Sequence, residues 1–109
     1  MKKFLGFLVV LFVLGTASVA AQDYYVEVTN NTGYTIFYLY VSPEYSNDWE
    51  EDVLGNMVIV PGDTVRVDLY DYDTSIFDIQ AVDEDGDTYT FFGINVARED
   101  LVINLSDLD

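Results

Sequence analysis

The run Gly33-Tyr34-Thr35-Ile36-Phe37-Tyr38-Leu39-Tyr40-Val41-Ser42-Pro43 limits the possible folds of this chain more than any other stretch. From Tyr34 to Val41 every residue except Leu39 is aromatic or β-branched. Such side chains lose rotamer freedom in a helix and fit the pleated, packed surface of a sheet. As a strand, the run sends Ile36, Tyr38 and Tyr40 to one face and Phe37, Leu39 and Val41 to the other. Neither face is polar. The strand is therefore expected in the middle of a sheet, with one face on a core and the other covered or carrying exposed aromatics.

The flanking sequence has the same character. Tyr24 to Thr29 alternates, with Val26 and Val28 on one side, and Asn30-Asn31-Thr32-Gly33 supplies turn residues, so the two segments are expected to form a hairpin. Met57 to Val60 is a short strand candidate before Pro61-Gly62. Thr64 to Tyr70 places Val65, Val67 and Leu69 inward. Ile76 to Val82 and Thr88 to Phe92 flank Asp85-Gly86, a strong hairpin signal. A two-residue loop there sets Glu84 opposite Asp87, Val82 opposite Tyr89 and Ile79 opposite Phe92. Leu101 to Leu105 is the last strand, and Ser106 to Asp109 is expected to fray. Six or seven short strands without helical periodicity predict an all-β fold, an antiparallel β-sandwich of immunoglobulin-like or similar type.

The start of the chain has a different composition. Met1-Lys2-Lys3 is basic, Phe4 to Leu14 is apolar apart from Gly6, and Thr16 to Ala21 is rich in small residues. This is the layout of a cleavable signal peptide, residues 1–21, ahead of a single domain, residues 22–109. As a helix, the apolar run reaches about 16 Å at ~1.5 Å per residue, short of a hydrocarbon core of ~30 Å, so no stable membrane insertion is expected after cleavage. With no cysteine in the chain, there is neither a lipid-bearing cysteine nor a disulfide. An exported protein, periplasmic or extracellular, is expected to be held together by burial alone.

Both lysines lie in the signal segment. Arg66 and Arg98 then face all 20 acidic residues, for a net charge of −18. Such a field repels polyanions, which excludes nucleic acid as a partner and favours divalent cations or a basic protein. Catalysis is disfavoured as well. There is no histidine, cysteine or mature lysine for a general base, thiolate or Schiff base, and a small sandwich offers little depth for paired carboxylates to act on a glycoside.

Strand parity gives the carboxylates an address. If successive strands run antiparallel, the turns at 30–33, 61–63 and 85–86 share one end, and the connections 43–56 and 71–75 share the other. That second end gathers Glu44, Asp48, Glu50, Glu51, Asp52, Asp71 and Asp73. Hard oxygen donors on irregular loops suit Ca²⁺, and Asp48, Glu50, Asp52, Asp71 and Asp73 are the expected ligands. Tyr45 and Trp49 in the same loop are candidate partner contacts, unless Trp49 folds back to cap the core. The run Asp83-Glu84-Asp85-Gly86-Asp87 fails the helix–loop–helix calcium pattern, since Thr88 stands where its glycine belongs and Ile94 where its glutamate belongs. A hairpin turn explains it better.

The succession Asn30-Asn31-Thr32-Gly33-Tyr34-x-Ile36-x-x-Leu39-Tyr40-Val41-Ser42-Pro43, Asp48-Trp49, Asp52-x-Leu54-Gly55, Pro61-Gly62 and Phe77-Asp78-Ile79-x-Ala81-x-Asp83-x-Asp85-Gly86 resembles a group of small exported bacterial single-domain proteins that are functionally uncharacterised. The resemblance spans nearly the whole domain and implies one compact exported unit with no catalytic residues to carry over. Three readings follow: a non-catalytic acidic binding protein that takes Ca²⁺ at its loops, a protein-binding or inhibitor module for a basic partner such as a cationic hydrolase, or a structural protein that self-associates through a free sheet edge.

Overall fold

A computed structural model of the protein describes residues 21–109; residues 1–20 of the expected signal segment lie outside the described residues. The strands are β1 (Gln22–Asn31), β2 (Ile36–Pro43), β3 (Thr64–Tyr72), β4 (Ile76–Asp83), β5 (Thr88–Asn95) and β6 (Leu101–Asn104), followed by a 3₁₀ turn, Leu105–Asp107. They form two three-stranded sheets in the orders β3-β1-β6 and β2-β4-β5. All pairings are antiparallel except β1 with β6.

The two sheets enclose one core in a sandwich-like arrangement. The first contributes Val26, Val28, Val67, Leu69, Leu101 and Ile103, and the second Ile36, Leu39, Val41, Phe77, Ile79, Ala81 and Tyr89. Alternation explains these choices: in β4 the burial pattern has period two, with Phe77, Ile79, Ala81 and Asp83 inside. Fully burying one such aliphatic or aromatic side chain stabilises by roughly 1.5–3 kcal/mol, which accounts for a domain of this size standing without disulfides.

Several expectations are corrected. The segment 22–31 does not form a hairpin with 36–43, because β1 and β2 belong to different sheets. The buried Asn30 side chain turns the corner. Its Nδ2 donates to the carbonyls of Tyr34 (2.7 Å) and Ile59 (2.8 Å), and its Oδ1 accepts from the backbone N–H (3.0 Å) and hydroxyl (2.7 Å) of Thr32. All four hydrogen-bonding positions of the amide are thereby used. The apolar run 34–41 is not a central strand. β2 is an edge whose outer side is closed by the irregular segment 52–59 through bridges from Tyr40 to Asp52 and from Ile36 to Ile59. A bulge between Ile36 and Tyr38 also breaks its alternation, so Ile36 joins Leu39 and Val41 inside while Phe37 and Tyr38 are exposed.

Met57–Val60 is not a strand. Only Ile59 pairs with a strand, exchanging both backbone bonds with Ile36 (2.9 Å each), and Met57, Val58 and Val60 are exposed. The β4–β5 hairpin is shifted by one residue from the expected register, pairing Val82 with Thr88, Ala81 with Tyr89 and Ile79 with Phe91. The Asp83 carboxylate captures the N–H groups of Asp85 and Asp87, and the loop closes as three residues with Gly86 at φ +81°. An extra residue in β5, where Phe92 and Gly93 together oppose Asp78, then restores the expected register for Phe77 with Ile94.

The tail does not fray. Asp109 N–H donates to the Thr88 carbonyl (2.9 Å), and the Asp109 carboxylate accepts the hydroxyls of Thr88 and Thr90. These two hydroxyls, Thr90 foremost, hold its carboxyl below the usual range.

Candidate functional site

The strand directions put the turns and the acidic connections at opposite ends, and the acidic residues of the two ends differ in kind. At the turn end, Asp83 is 3 % exposed. Its Oδ1 accepts from Asp85 N–H (2.9 Å) and Asp87 N–H (3.0 Å), and its Oδ2 accepts the Tyr89 hydroxyl (2.9 Å). Burial, reinforced by the Asp83 carboxylate, pushes the Tyr89 hydroxyl up to about 12, with Thr32 pulling the other way. Among the described residues, Asp83, Asp85 and Asp87 are also the one group that places three carboxylate oxygens within 4.8 Å of one another, so this triad could hold a metal ion. Oδ1 of Asp83 has both lone pairs committed, which leaves a cation one direction of approach at Oδ2.

At the other end, the five expected ligands do not gather into one group, although Glu50 and Asp73 both lie near Tyr45. Asp52 turns back to the sheet, where its Oδ1 accepts from Leu39 N–H (2.9 Å) and Leu54 N–H (3.0 Å) and clamps the loop to the edge of β2. Glu50 and Asp73 both approach Tyr45. Desolvation, then the charge of Asp73, then that of Glu50 raise the Tyr45 hydroxyl above its ordinary value. Tyr72, packed edge-on against Phe77 at 4.9 Å, is raised by burial and then by the charge of Glu50. The 44–52 and 71–73 segments therefore do meet, as strand parity requires. Asp71 and Glu50 share a strained backbone, with φ +64° and +58°, a region that costs a non-glycine residue about 1–2 kcal/mol. Asp71 also donates its N–H to Asp23 Oδ1 (3.1 Å).

Asp48 lies elsewhere, in a small notch on the outer face of the β2-β4-β5 sheet. The notch is lined by Ser46, Asn47, Asp48, Trp49, Asp78 and Phe92. Trp49 does not cap the core. The buried Ser42 hydroxyl donates to its carbonyl (2.8 Å), and its ring lies against that of Phe92 with centroids 6.3 Å apart and planes inclined by 31°. The neighbouring Ser46 hydroxyl donates to the Asp48 carbonyl (3.0 Å) and accepts its N–H (3.3 Å), fixing the loop. Asp78 Oδ1 accepts Gly93 N–H (2.9 Å), and among the described residues its Oδ2 has no protein partner. Phe92 is 74 % exposed, although a phenyl ring gains by burial.

Sequence reasoning identified Trp49 and Asp48 and missed Phe92 and Asp78. A signal existed for the first. Phe91 and Phe92 are adjacent in a strand, so one ring has to face outward. Asp78 gave none, because its place beside the loop depends on β2 and β4 pairing Ser42 with Asp78.

Chemically, the notch joins two aromatic rings to two carboxylates and an amide, and among the described residues no basic side chain lines it. Both arginines lie elsewhere: Arg66 on β3 and Arg98 in the segment between β5 and β6. Compared with models of known protein families, with curated proteins and with solved structures, the chain matches none.

Proposed function

We propose that this protein is an exported, non-catalytic binding module of β-sandwich type whose acidic, aromatic-bearing end engages a basic protein partner. The observation that carries this reading is the exposed Phe92 paired with the half-buried Trp49 beside Asp48 and Asp78, in a domain where 20 acidic residues face two arginines. Complementary charge speeds encounter, and a desolvated aromatic anchor supplies affinity. The loop carboxylates favour this reading over chelation, since Asp52 is spent on backbone N–H groups and Asp48 stands apart from Asp73 and Glu50.

Calorimetric titration with a cationic lysozyme as probe tests it. Saturable binding is expected that weakens as NaCl rises from about 50 to about 150 mM, where screening sets in over ~8 Å. It is expected to be lost when Asp48, Asp73 and Asp78 are all changed to Asn. Failure of any cationic protein to bind at the lower salt would reject the reading.

A divalent cation, Ca²⁺ in particular, is the second reading. It is favoured by the mutual approach of Asp83, Asp85 and Asp87 and limited by the hydrogen bonds that already occupy Asp83.

A further inference from the structure

The outer face of the other sheet shows what this protein does with a guanidinium. Arg66 lies over the Tyr25 ring, its central carbon 3.9 Å from the ring centroid, while its Nε donates to Asp68 Oδ1 at 2.9 Å. One aromatic face and one aspartate thus satisfy an arginine from two directions. A planar guanidinium stacks on the ring and reaches a carboxylate with its edge, a geometry unavailable to a compact ammonium.

The notch on the β2-β4-β5 sheet presents the same parts without the arginine. It has two aromatic rings in place of one, Asp48 and Asp78 in place of Asp68, and the Asn47 amide as a further acceptor. Its volume of about 140 Å³ is well below the roughly 300–1,000 Å³ of small-molecule clefts, which suits the head of one side chain. We propose that this notch is a socket for a single arginine side chain presented by the partner. The inference rests on the reading of the protein as a module for basic partners and names the group that its aromatic site receives. The guanidinium stacks on the exposed Phe92 ring beside Trp49, and Asp48 and Asp78 accept from its N–H groups. Phe92 stays exposed in the free protein because its contact surface is completed from outside.

Trp49 is the sole tryptophan of the chain, so its fluorescence reports the socket directly. The test is a titration of the protein with acetyl-Gly-Arg-Gly-amide and with the same peptide carrying citrulline, a neutral isostere of arginine. A saturable change is expected with the arginine peptide and none with citrulline. Phe92→Ala is expected to weaken the dissociation constant by about threefold to thirtyfold, the worth of one cation–π contact, and Asp78→Asn, which keeps the acceptor for Gly93, by a similar factor. Both side chains lie outside the core, and unchanged melting temperatures establish that the variants fold.

An equal response to arginine and citrulline, or full affinity in Phe92→Ala, would overturn the socket. So would a Trp49 response to a neutral oligosaccharide in place of the arginine peptide. If the cationic lysozyme binds while the arginine peptide does not, the socket fails and the acidic binding module stands. If neither binds, both readings fall.

Discussion

The two ends of this sandwich carry similar residues and use them in opposite ways. At the turn end, Asn30, Thr32, Asp83 and Tyr89 are buried, and their polar atoms are joined to backbone groups and to one another. At the loop end, Glu50 and Asp73 crowd Tyr45, which is 63 % exposed. On the adjoining sheet face, Asp48 and Asp78 line a notch beside Phe92. Acidic composition is common to both ends, and Asp52 at the loop end also accepts two backbone N–H groups, but among the described residues only Asp83, at the turn end, is a buried carboxylate. A buried carboxylate that accepts backbone N–H groups and a buried hydroxyl holds the fold together, and one that faces solvent beside an aromatic ring remains available to a partner.

The sharpest way to break this contrast is to neutralise one aspartate at each end. Asp83→Ala strands two N–H groups and a buried hydroxyl, so a loss of about 3 kcal/mol or more is expected. In a thermal melt that is a fall of roughly 12–24 °C for a domain of this size. Asp73→Asn relieves repulsion and is expected to leave the midpoint unchanged or slightly raised. Comparable losses from both substitutions would erase the distinction.

Alkaline titration comes next. Tyr89 has a folded-state pKa of about 12, above the ordinary 10.0. The stability held in its protonated hydroxyl is complete below pH 10 and is lost as the pH climbs through 12. Tyr89→Phe is expected to cost about 1–3 kcal/mol at neutral pH, because Asp83 Oδ2 loses its donor. It should also flatten the loss of stability between pH 10 and 12, which is measured by denaturant midpoints at each pH. An unaltered alkaline limb would mean that Tyr89 is not the group responsible.

At the loop end, Glu50→Gly removes a side chain from a backbone at φ +58°. A gain of about 1 kcal/mol in chemical denaturation is expected. A loss would show that Glu50 makes a contact worth more than its strain.

The smallest expected effect is that of divalent ions. Ca²⁺ and Mg²⁺ at equal ionic strength should raise the melting temperature alike and by little, through screening of the net charge. A Ca²⁺-selective rise above about ten degrees, matching the ~2.7 kcal/mol of a site held at a hundredfold its dissociation constant, and abolished by Asp85→Asn, would move function to the turn end.

Much of the fold was legible wherever one periodicity dominated. Val65, Val67 and Leu69 alternate without interruption, and that segment is β3, with Val67 and Leu69 buried and Val65 packed against the core. Reading failed where a side chain competed with the ladder. Asn30 satisfies its amide with Tyr34, Ile59 and Thr32, so a turn sequence that reads as a hairpin becomes a corner between sheets. Asp83 does the same to the β4–β5 loop and moves the register by one residue. The single bulge in β2 leaves no local mark that an alternation rule detects, and the one in β5 is marked only by Gly93 at φ +71°. Of the site, strand parity brought the two acidic segments together, and composition singled out Trp49. The partnership of Trp49 with Phe92 required tertiary contact across the sheet.

The parallel pairing of β1 with β6 has a mechanical consequence. The first and last strands lie side by side over Val28–Leu101 to Asn31–Asn104, and the Asn31 amide donates to Asn104 Oδ1 at 2.6 Å. Because they run in the same direction, tension applied to the two ends of the domain drags the strands lengthwise past each other and loads all of these bonds together. A hairpin pulled open from its free end would surrender them one at a time. Under stretching, the short tail clasped by Thr88 and Thr90 peels first, and the β1–β6 ladder then sets the rupture force. A chain without a disulfide thus has a seam that resists tension through a backbone ladder and one side-chain hydrogen bond.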